Sequence, residues 1–285
     1  MLAAEGRAPA LVVRENVCGT LSSHDGRDFG SIASALSNRY RFGAIVIDAV
    51  DFLPQSRPRL FVVATREGLG IPNLLRTGAP DPRWHPPTLF RAHTKLSRTT
   101  ASRWVWWSLP SPAGSKSVFS DIIEEEPEGV TWHSAEETEK LVSMMSGQNL
   151  AKLRLAQRPG RRIVGATYKR TRHDEAGRKV QRAEIRFDNV AGCLRTPAGG
   201  SSRQTIIIVE RDRLRSRLLS PREAARLMGL PDQYILPKNY NDAYHLAGDG
   251  VAVPVVRHLA EHLLEPLLDG AAWTVNSAFA GLAAD

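Results

Sequence analysis

Acidic and basic residues stand near the ends of two apolar segments of this chain, where their side chains can act together in a reaction. Glu15-Asn16-Val17 follows a short apolar run, so its carboxylate is expected at the carboxyl end of a strand in a parallel, doubly wound sheet, where α/β proteins place their sites. Pro54-Gln55-Ser56-Arg57-Pro58-Arg59 leads into another apolar run, and alternation along an extended chain puts Gln55, Arg57 and Arg59 on one face. Two guanidinium groups there can hold a phosphate, a carboxylate or the edge of a base. Each segment alone has a structural alternative. Glu15 could be an acidic residue in a turn, and residues 54–59 could be the basic edge of a strand.

A third group of residues lies towards the C-terminus. Residues 218–229 read LLSPREAARLMG, in which Ser220 is placed to cap a helix, Pro221 to occupy its first position and Glu223 to complete a capping box. Further along, residues 247–254 read AGDGVAVP and place glycines before a predicted helix, an arrangement that can bind an anion. By itself the first stretch predicts only a well-capped helix.

The order of these segments resembles the C-terminal part of the cytosine-5 DNA methyltransferase family. That pattern consists of E-N-V, Q-x-R-x-R, a basic variable region, LSPREAARLMGLPD and G-D-x-V before a closing helix, and the resemblance covers nearly all of residues 10–268. It implies DNA methylation, as in restriction-modification: a methyl group passes from S-adenosylmethionine to C5 of a cytosine flipped out of double-stranded DNA. In that mechanism a cysteine thiolate attacks C6 of the base and makes C5 nucleophilic.

The resemblance also implies roles for individual residues. Glu15 would hydrogen-bond or protonate N3 of the cytosine, Arg59 would contact its O2, and Arg57 would orient Glu15 or the nucleophile loop. The last motif would bind the cofactor. The family usually has Asn where this chain has Asp249, and the carboxylate of Asp249 would repel the carboxylate in the methionine part of the cofactor. The cofactor-binding positions implied are Asp249, Gly250 and Val251.

Positive charge is concentrated in one stretch of the chain. Residues 150–219 hold 18 Lys and Arg against 6 Asp and Glu, whereas the rest of the chain holds 20 against 24. A local excess of this kind is typical of a surface that contacts nucleic acid, although a solvated basic surface has the same composition. The family's target-recognition region falls here, and the small-residue loop 193–204 is predicted to touch DNA unless it is merely a flexible loop. The residues predicted to contact DNA are Arg195, Ser201, Ser202, Arg203 and Gln204.

The sequence lacks two motifs of the family, including the one that carries the catalytic cysteine. Neither the F-x-G-x-G turn for the cofactor nor the Pro-Cys-Gln loop for the nucleophile occurs in these residues. Cys18 has no Pro before it and no Gln after it and is predicted to be a packed thiol beside the end of a strand, and Cys193 lies in the recognition region. The chain alone is therefore expected to be inactive, as an incomplete chain or one subunit of a split enzyme whose second chain carries the N-terminal half. The alternative is a catalytically inactive remnant that binds DNA.

Cysteine and histidine usage argues against a metal or disulfide framework. Two cysteines exclude a disulfide scaffold and a four-cysteine zinc site. His258 and His262 stand four residues apart with Glu261 between them, but they are predicted to be surface histidines of an amphipathic helix. No metal site is predicted.

The catalytic residues require an α/β frame. Apolar runs at 10–13, 44–50 and 60–65 predict buried strands, and 29–36 predicts a helix. The expected fold class is α/β: part of a Rossmann-like sheet of the S-adenosylmethionine-dependent methyltransferases, with an inserted small target-recognition domain of α+β type. The predicted segments are 1–70 for the C-terminal half of the catalytic sheet, 71–159 for a connecting region, 160–217 for target recognition, 218–270 for returning helices and 271–285 for a tail.

The remaining elements follow from local patterns. Helices are predicted over 94–108, 134–158 and 253–268, with Ser134 and Glu137 forming a capping box. A basic hairpin is predicted from strands at 162–169 and 179–187, followed by a strand at 205–209. No apolar run is long enough to span a bilayer and the N-terminus does not resemble a signal peptide, so a cytoplasmic location is expected.

Overall fold

The computed structural model describes residues 7–114, 117–196 and 203–269. Contacts divide the chain into two compact units. The first contains the residues up to Asp48, Pro58–Pro112 and the residues from Val255 onward, and the second contains Ala49–Arg57 and Ala113–Pro254. The five functional segments expected from the sequence stay a prediction, because this division reports contacts and not function. No helix among the described residues is long and apolar enough to cross a membrane.

The first unit is built on a three-stranded sheet. Strands β1 (Leu11–Val17), β2 (Tyr40–Asp48) and β3 (Pro58–Arg66) lie in the order β1-β3-β2, and α1 (Arg27–Ser37) connects the first two. Both β1 and β2 run antiparallel to β3. The predicted strands and helix are present, but the expectation of a parallel arrangement is wrong for β3. A continuous apolar run predicts burial on both faces of a strand and carries no information about its direction.

Apolar side chains from this sheet and from the helices beside it form the core of the first unit. Phe29 and Ala33 of α1 pack with Phe42, Leu60 and Val62 of the sheet, all of them buried. The unit also contains α2 (Pro87–Thr94), α3 (Arg98–Ala101) and the paired short strands β4 (Arg76–Thr77) and β5 (Trp106–Trp107).

The single helix expected over residues 94–108 is wrong. α2 ends at Thr94, α3 occupies only Arg98–Ala101, and Trp107 pairs with Arg76 across a short antiparallel ladder. The ring of Trp104 makes an edge contact with Phe42, with 5.3 Å between the ring centroids. Burial of these tryptophans in tertiary contacts outweighs the weak helical spacing that the sequence shows.

Gly43 in β2 is required by a close approach of the chain. A Cβ atom at this position would lie 1.9 Å from the backbone oxygen of Val105 and 2.8 Å from Nε1 of Trp107. Gly30 in α1 is the opposite case, because a Cβ there would meet nothing within 4 Å. The two glycines therefore provide a matched pair of substitutions in one unit.

We expect Gly43→Ala to lower the free energy of unfolding by about 1–3 kcal/mol, because the methyl group overlaps backbone atoms. Gly30→Ala is expected to raise it by about 0.5–1 kcal/mol, since Ala is the better helix former. Urea unfolding followed by circular dichroism measures both. Equal stability of the two variants would contradict the packing described for β2.

The second unit combines helices with a four-stranded antiparallel sheet. Strands β6 (Ile163–His173), β7 (Lys179–Arg186), β8 (Thr205–Glu210) and β9 (Arg213–Leu218) lie in the order β7-β6-β8-β9. This arrangement has the α+β character expected of the inserted region, and the predicted hairpin is confirmed. The helices of the unit are α4 (Phe119–Ile122), α5 (Ala135–Ser143), α6 (Gly147–Gln157), α7 (Pro221–Leu227) and α8 (Tyr240–Asp249).

Two helices replace the one predicted over residues 134–158. Ser134 caps α5 with the expected capping box to Glu137, and Ser146 caps α6 by accepting a hydrogen bond from the backbone of Asn149. Together they cover one face of the sheet with buried apolar side chains. This cluster contains Leu141, Met145, Leu153, Ala156, Ala183, Ile185, Ile207 and Val209.

The last helix among the described residues begins in the second unit and continues in the first. α9 spans Val253–Leu259 and passes into a π-helical turn at Ala260–Leu264. Within the first unit, His258 is buried, and one of its ring nitrogens lies 3.1 Å from the backbone oxygen of Pro110. The prediction of a surface histidine is therefore wrong for His258, because this helix packs against the segment that contains Pro110. Short 3-10 helices complete the described elements, at Cys18–Leu21, Ser23–Gly26, Ala49–Asp51 and Asn73–Leu75.

Candidate functional site

The first two sequence motifs meet as an ion pair in the first unit. Nε of Arg59 lies 2.9 Å from Oε1 of Glu15, and the two side chains are 14% and 30% exposed. The antiparallel register explains this contact, because Val17 of β1 stands opposite Arg59 of β3 and Glu15 is the next residue on the same face. The Glu15 carboxylate and the Arg59 guanidinium are thus held together in a partly exposed position, where a polar ligand can contact both.

Cys18 follows this pair at the start of the first 3-10 helix. Burial raises the pKa of its thiol above the usual value, and the carboxylates of Asp48 and Glu15 act in the same direction, while Arg59 opposes them. The neutral thiol is therefore favoured, and a neutral thiol is a poor nucleophile. This agrees with the sequence prediction that Cys18 is a packed thiol.

Gln55 of the second motif is fully buried in the second unit. Its Nε2 donates to the backbone oxygen of Leu227 at 2.6 Å, and its Oε1 accepts from the backbone nitrogen of Leu194 at 3.1 Å. The amide thereby joins the end of α7 to the segment that leads into the predicted DNA-contact loop. The sequence placed Gln55 on a ligand-binding face, and it gave no sign of this bridging position.

Arg57 lies in the same unit and is only 2% exposed. Its guanidinium donates to the backbone oxygens of Leu194 at 2.8 Å, Gly248 at 2.8 Å and Gly250 at 2.7 Å, and it contacts Sγ of Cys193 at 3.5 Å. These bonds tie the start of the predicted loop to the end of α8. The role in orienting Glu15 stays a prediction.

The predicted cofactor-binding residues connect α8 to α9. Asp249 is the last residue of α8 and accepts a hydrogen bond from the hydroxyl of Thr196, and Gly250 is the C-cap. The glycine turn expected before a helix is thus also the end of an unpredicted helix. A Cβ on Gly248 would lie 2.9 Å from the backbone nitrogen of Thr196, so glycine lets the two segments touch.

The residues predicted to contact DNA differ in exposure. Arg195 is exposed, whereas Ser201 and Ser202 lie outside the described residues. Arg203 is half-buried, with its guanidinium 5.1 Å from the centre of the Tyr240 ring. Gln204 is fully buried, and its side-chain amide has no hydrogen-bond partner among the described residues. Contacts of Arg203 and Gln204 with a base stay predictions, and they would require both side chains to leave these positions.

A buried ion pair lies behind the third motif, and sequence reasoning missed it. Arg217 and Glu223 are both 0% exposed and form two hydrogen bonds, Nη2 to Oε1 at 2.7 Å and Nη1 to Oε2 at 2.8 Å. The Glu223 carboxylate also accepts from the backbone nitrogens of Glu124 at 2.8 Å and Ser220 at 2.7 Å. The predicted capping box of α7 is confirmed, and its acid has the further role of neutralising an arginine of β9.

Comparison with known proteins assigns these motifs to one family. The family model described as C-5 cytosine-specific DNA methylase matches residues 3–265. Type II methyltransferase M.HpaII of Haemophilus parainfluenzae is 23% identical over 279 residues, which cover 91% of this chain and 61% of the relative. Type II methyltransferase M1.ScrFI of Lactococcus lactis subsp. cremoris is 43% identical over 61 residues, 21% of this chain and 16% of the relative. The chain therefore spans less than two thirds of the length of these relatives.

A solved structure supports the fold. The Entamoeba histolytica methyltransferase EhMeth superposes with a TM-score of 0.52 at 14% sequence identity, over 91% of this chain and 63% of that one. At such identity the likeness concerns the path of the backbone and not the chemistry. It agrees with the expected Rossmann-like sheet with an inserted α+β region.

Proposed function

Because the chain belongs to the C-5 cytosine-specific DNA methylase family, we propose that it is part of an enzyme that transfers a methyl group from S-adenosylmethionine to C5 of a cytosine in double-stranded DNA. The observation that carries the proposal is the ion pair of Glu15 with Arg59, which unites the two motifs expected to handle the base. The family match over residues 3–265 supplies the reaction class. The comparisons do not favour the alternative of an inactive DNA-binding remnant.

The pair of Glu15 and Arg59 suits the electronic demand of the reaction. Addition of a thiolate to C6 of cytosine pushes negative charge towards N3 and O2 of the ring. Glu15 in its protonated form donates a hydrogen bond or a proton to N3, and the cation of Arg59 stabilises charge at O2. The same guanidinium, 2.9 Å from the Glu15 carboxylate, keeps that carboxylate oriented before the base arrives.

The cofactor is proposed to touch the segment between α8 and α9. The carboxylate of Asp249 suits the ammonium group in the amino-acid part of S-adenosylmethionine and opposes its carboxylate. The backbone oxygen of Gly250 already accepts from Arg57, and Oδ1 of Asp249 accepts from Thr196, which leaves the second carboxylate oxygen of the exposed Asp249 and the backbone of Val251 for a ligand. The fit is therefore partial, and it concerns one end of the cofactor.

The nucleophile and the cofactor turn are proposed to come from polypeptide outside these residues, such as a second chain. Within the 285 residues there is no Pro-Cys-Gln sequence and no F-x-G-x-G sequence. Cys18 is proposed not to replace the nucleophile, because it has no Pro before it and no Gln after it and because burial raises the pKa of its thiol. The DNA-contacting side chains are proposed to be Arg195, Ser201, Ser202, Arg203 and Gln204.

Transfer of labelled methyl groups tests this assignment. We expect the purified chain to leave cytosine-containing duplex DNA unlabelled when it is given tritiated S-adenosylmethionine. Addition of a polypeptide that carries both missing motifs is expected to produce 5-methylcytosine, detected by mass spectrometry of the nucleosides. Transfer by the chain alone that disappears in Cys18→Ser would show that Cys18 is the nucleophile, and methylation at a position other than C5 would contradict the proposed reaction.

A further inference from the structure

A cavity of about 400 Å³ opens in the second unit between the N-terminal half of α6 and strands β6 and β7. Its position is set by the apolar side chains that hold α6 against the sheet, since Leu153 and Ala156 on the buried face of the helix pack with Ile185. Gln148, Asn149 and Lys152 of the same helix line the cavity opposite residues of β6 and β7. None of the catalytic, cofactor-binding or DNA-contacting residues discussed above lines this cavity.

The lining of the cavity is rich in positive charge. Lys152, Arg170 and Arg186 line it together with one carboxylate, that of Glu184. Glu184 is already matched by two guanidinium groups, because Nε of Arg170 lies 3.3 Å from it and Arg172 forms a second ion pair. When Arg172 and Asp188, the ion-pair partner of Arg186, are counted as well, four cations stand against two carboxylates, and the excess leaves a positive potential that favours an anion.

Lys152 is the cation most available to a ligand. Lys152 is exposed, and its Nζ lies 3.5 Å from the backbone oxygen of Ile185, a distance at which a hydrogen bond is weak. None of the described carboxylates forms an ion pair with it. Arg186 is held by Asp188, with Nη2 2.5 Å from Oδ2, so it is fixed in position at the cavity wall.

The size and the polar groups of the cavity indicate the kind of anion. A volume of about 400 Å³ exceeds that of a simple inorganic ion and lies in the range that ligand sites use. The exposed amide of Gln148 adds a donor and an acceptor for hydroxyl or ring oxygens. A phosphate joined to a sugar satisfies both features.

The cavity is adjacent to the segment that enters the predicted DNA-contact loop. Gly192 lines the cavity, and the hydroxyl of Tyr168, another lining residue, donates to the backbone oxygen of Cys193 at 2.7 Å. Both strands of the cavity belong to the stretch 150–219 with its excess of positive charge. A phosphate held here would therefore lie beside the bases that the loop is proposed to read.

We propose that this cavity binds one sugar–phosphate unit of the DNA backbone, with Lys152 and Arg186 on the phosphate and Gln148 on the sugar. The proposal rests on the proposed function, because it takes double-stranded DNA as the ligand. Phosphate contacts fix the register of a protein on the duplex and do not read its sequence. The cavity thus acts as a positioning site for the recognition loop.

Fluorescence anisotropy of a labelled duplex over a series of salt concentrations tests the proposal. Lys152→Gln in the full chain is expected to weaken DNA binding roughly tenfold at low salt, to a similar degree for unrelated duplexes. The slope of log affinity against log salt is expected to fall by about one, because one phosphate contact is lost. Lys140→Gln is the matched control: it removes the same charge from the exposed face of α5, outside the cavity.

The outcomes separate this inference from the proposed function. If wild-type chain binds DNA and Lys152→Gln matches Lys140→Gln in affinity and slope, the cavity assignment is wrong and DNA binding stands. If the wild-type chain binds no duplex even at low salt, the backbone assignment is overturned, and the proposed function is decided separately by the methyl-transfer experiment. If deoxycytidine monophosphate binds to wild-type chain but not to Lys152→Gln, and duplex affinity is the same in both, the ligand is a free nucleotide and the backbone assignment fails.

Discussion

Glu223→Ala is expected to lower the free energy of unfolding by about 3–5 kcal/mol, the usual cost of removing one partner from a buried ion pair. The guanidinium of Arg217, which is 0% exposed, would remain charged with no carboxylate beside it. Two backbone nitrogens, those of Glu124 and Ser220, would also lose their acceptor. Urea unfolding followed by tryptophan fluorescence measures the change, because Trp132 lies 4.9 Å from the Arg217 guanidinium.

The second unit offers a matched control for this substitution. Asp232 forms an ion pair with Arg226 at 2.7 Å, but its side chain is 61% exposed. Asp232→Ala is expected to cost at most about 1 kcal/mol, since water replaces the lost partner. Glu223→Gln should fall between the two, because the amide oxygen still accepts hydrogen bonds. A cost for Glu223→Ala no larger than that for Asp232→Ala would contradict the structural role assigned to the pair.

Glu15→Gln is expected to lower kcat for methyl transfer by roughly 10²–10⁴-fold, the range attributed to a positioned acid or base. Glutamine can still donate a hydrogen bond to N3 of the cytosine, but it cannot protonate it. The enzyme to use is the chain completed by a polypeptide with the Pro-Cys-Gln loop and the F-x-G-x-G turn. Measured values of kcat and of DNA affinity separate a chemical effect from a loss of binding.

Glu67→Gln is the appropriate control in the same unit. Glu67 forms an ion pair with Arg103, as Glu15 does with Arg59, but Glu67 is 52% exposed and has no place in the proposed site. Its replacement should leave kcat unchanged. An unchanged kcat in Glu15→Gln would show that Glu15 takes no part in the reaction. An equal loss of kcat in both variants would indicate a general effect of removing a negative charge.

The sequence predicted the motifs and the strands well, because both depend on local patterns. The apolar runs gave β1, β2 and β3, and the capping boxes at Ser134 and Ser220 gave the starts of two helices. The direction of a strand depends on which residues pair across the sheet. The local sequence therefore did not predict that β3 is antiparallel to β1 and β2. The meeting of Glu15 and Arg59 follows from that pairing and was expected only through the family resemblance.

Other features depend on contacts between segments distant in sequence. No strand was predicted for Arg213–Leu218, where Arg217 is buried against Glu223. Helix α8 was not predicted, because small and polar residues dominate Tyr240–Asp249, and its burial depends on α7 and on the loop ends. Gln55 and Arg57 were predicted to bind a ligand. In the structure their side chains donate hydrogen bonds to buried backbone oxygens, and the sequence does not show which backbone oxygens need such donors.

Helix α8 holds both flanks of the predicted DNA-contact loop. Thr196 donates to Asp249 at the end of the helix, and Arg203 contacts Tyr240 and Asn241 at its start. The described ends of the loop, Thr196 and Arg203, are therefore both held by one helix. A substitution within the loop is therefore expected to leave the elements that hold its ends in place, so the recognised DNA sequence is predicted to be changeable without loss of the fold.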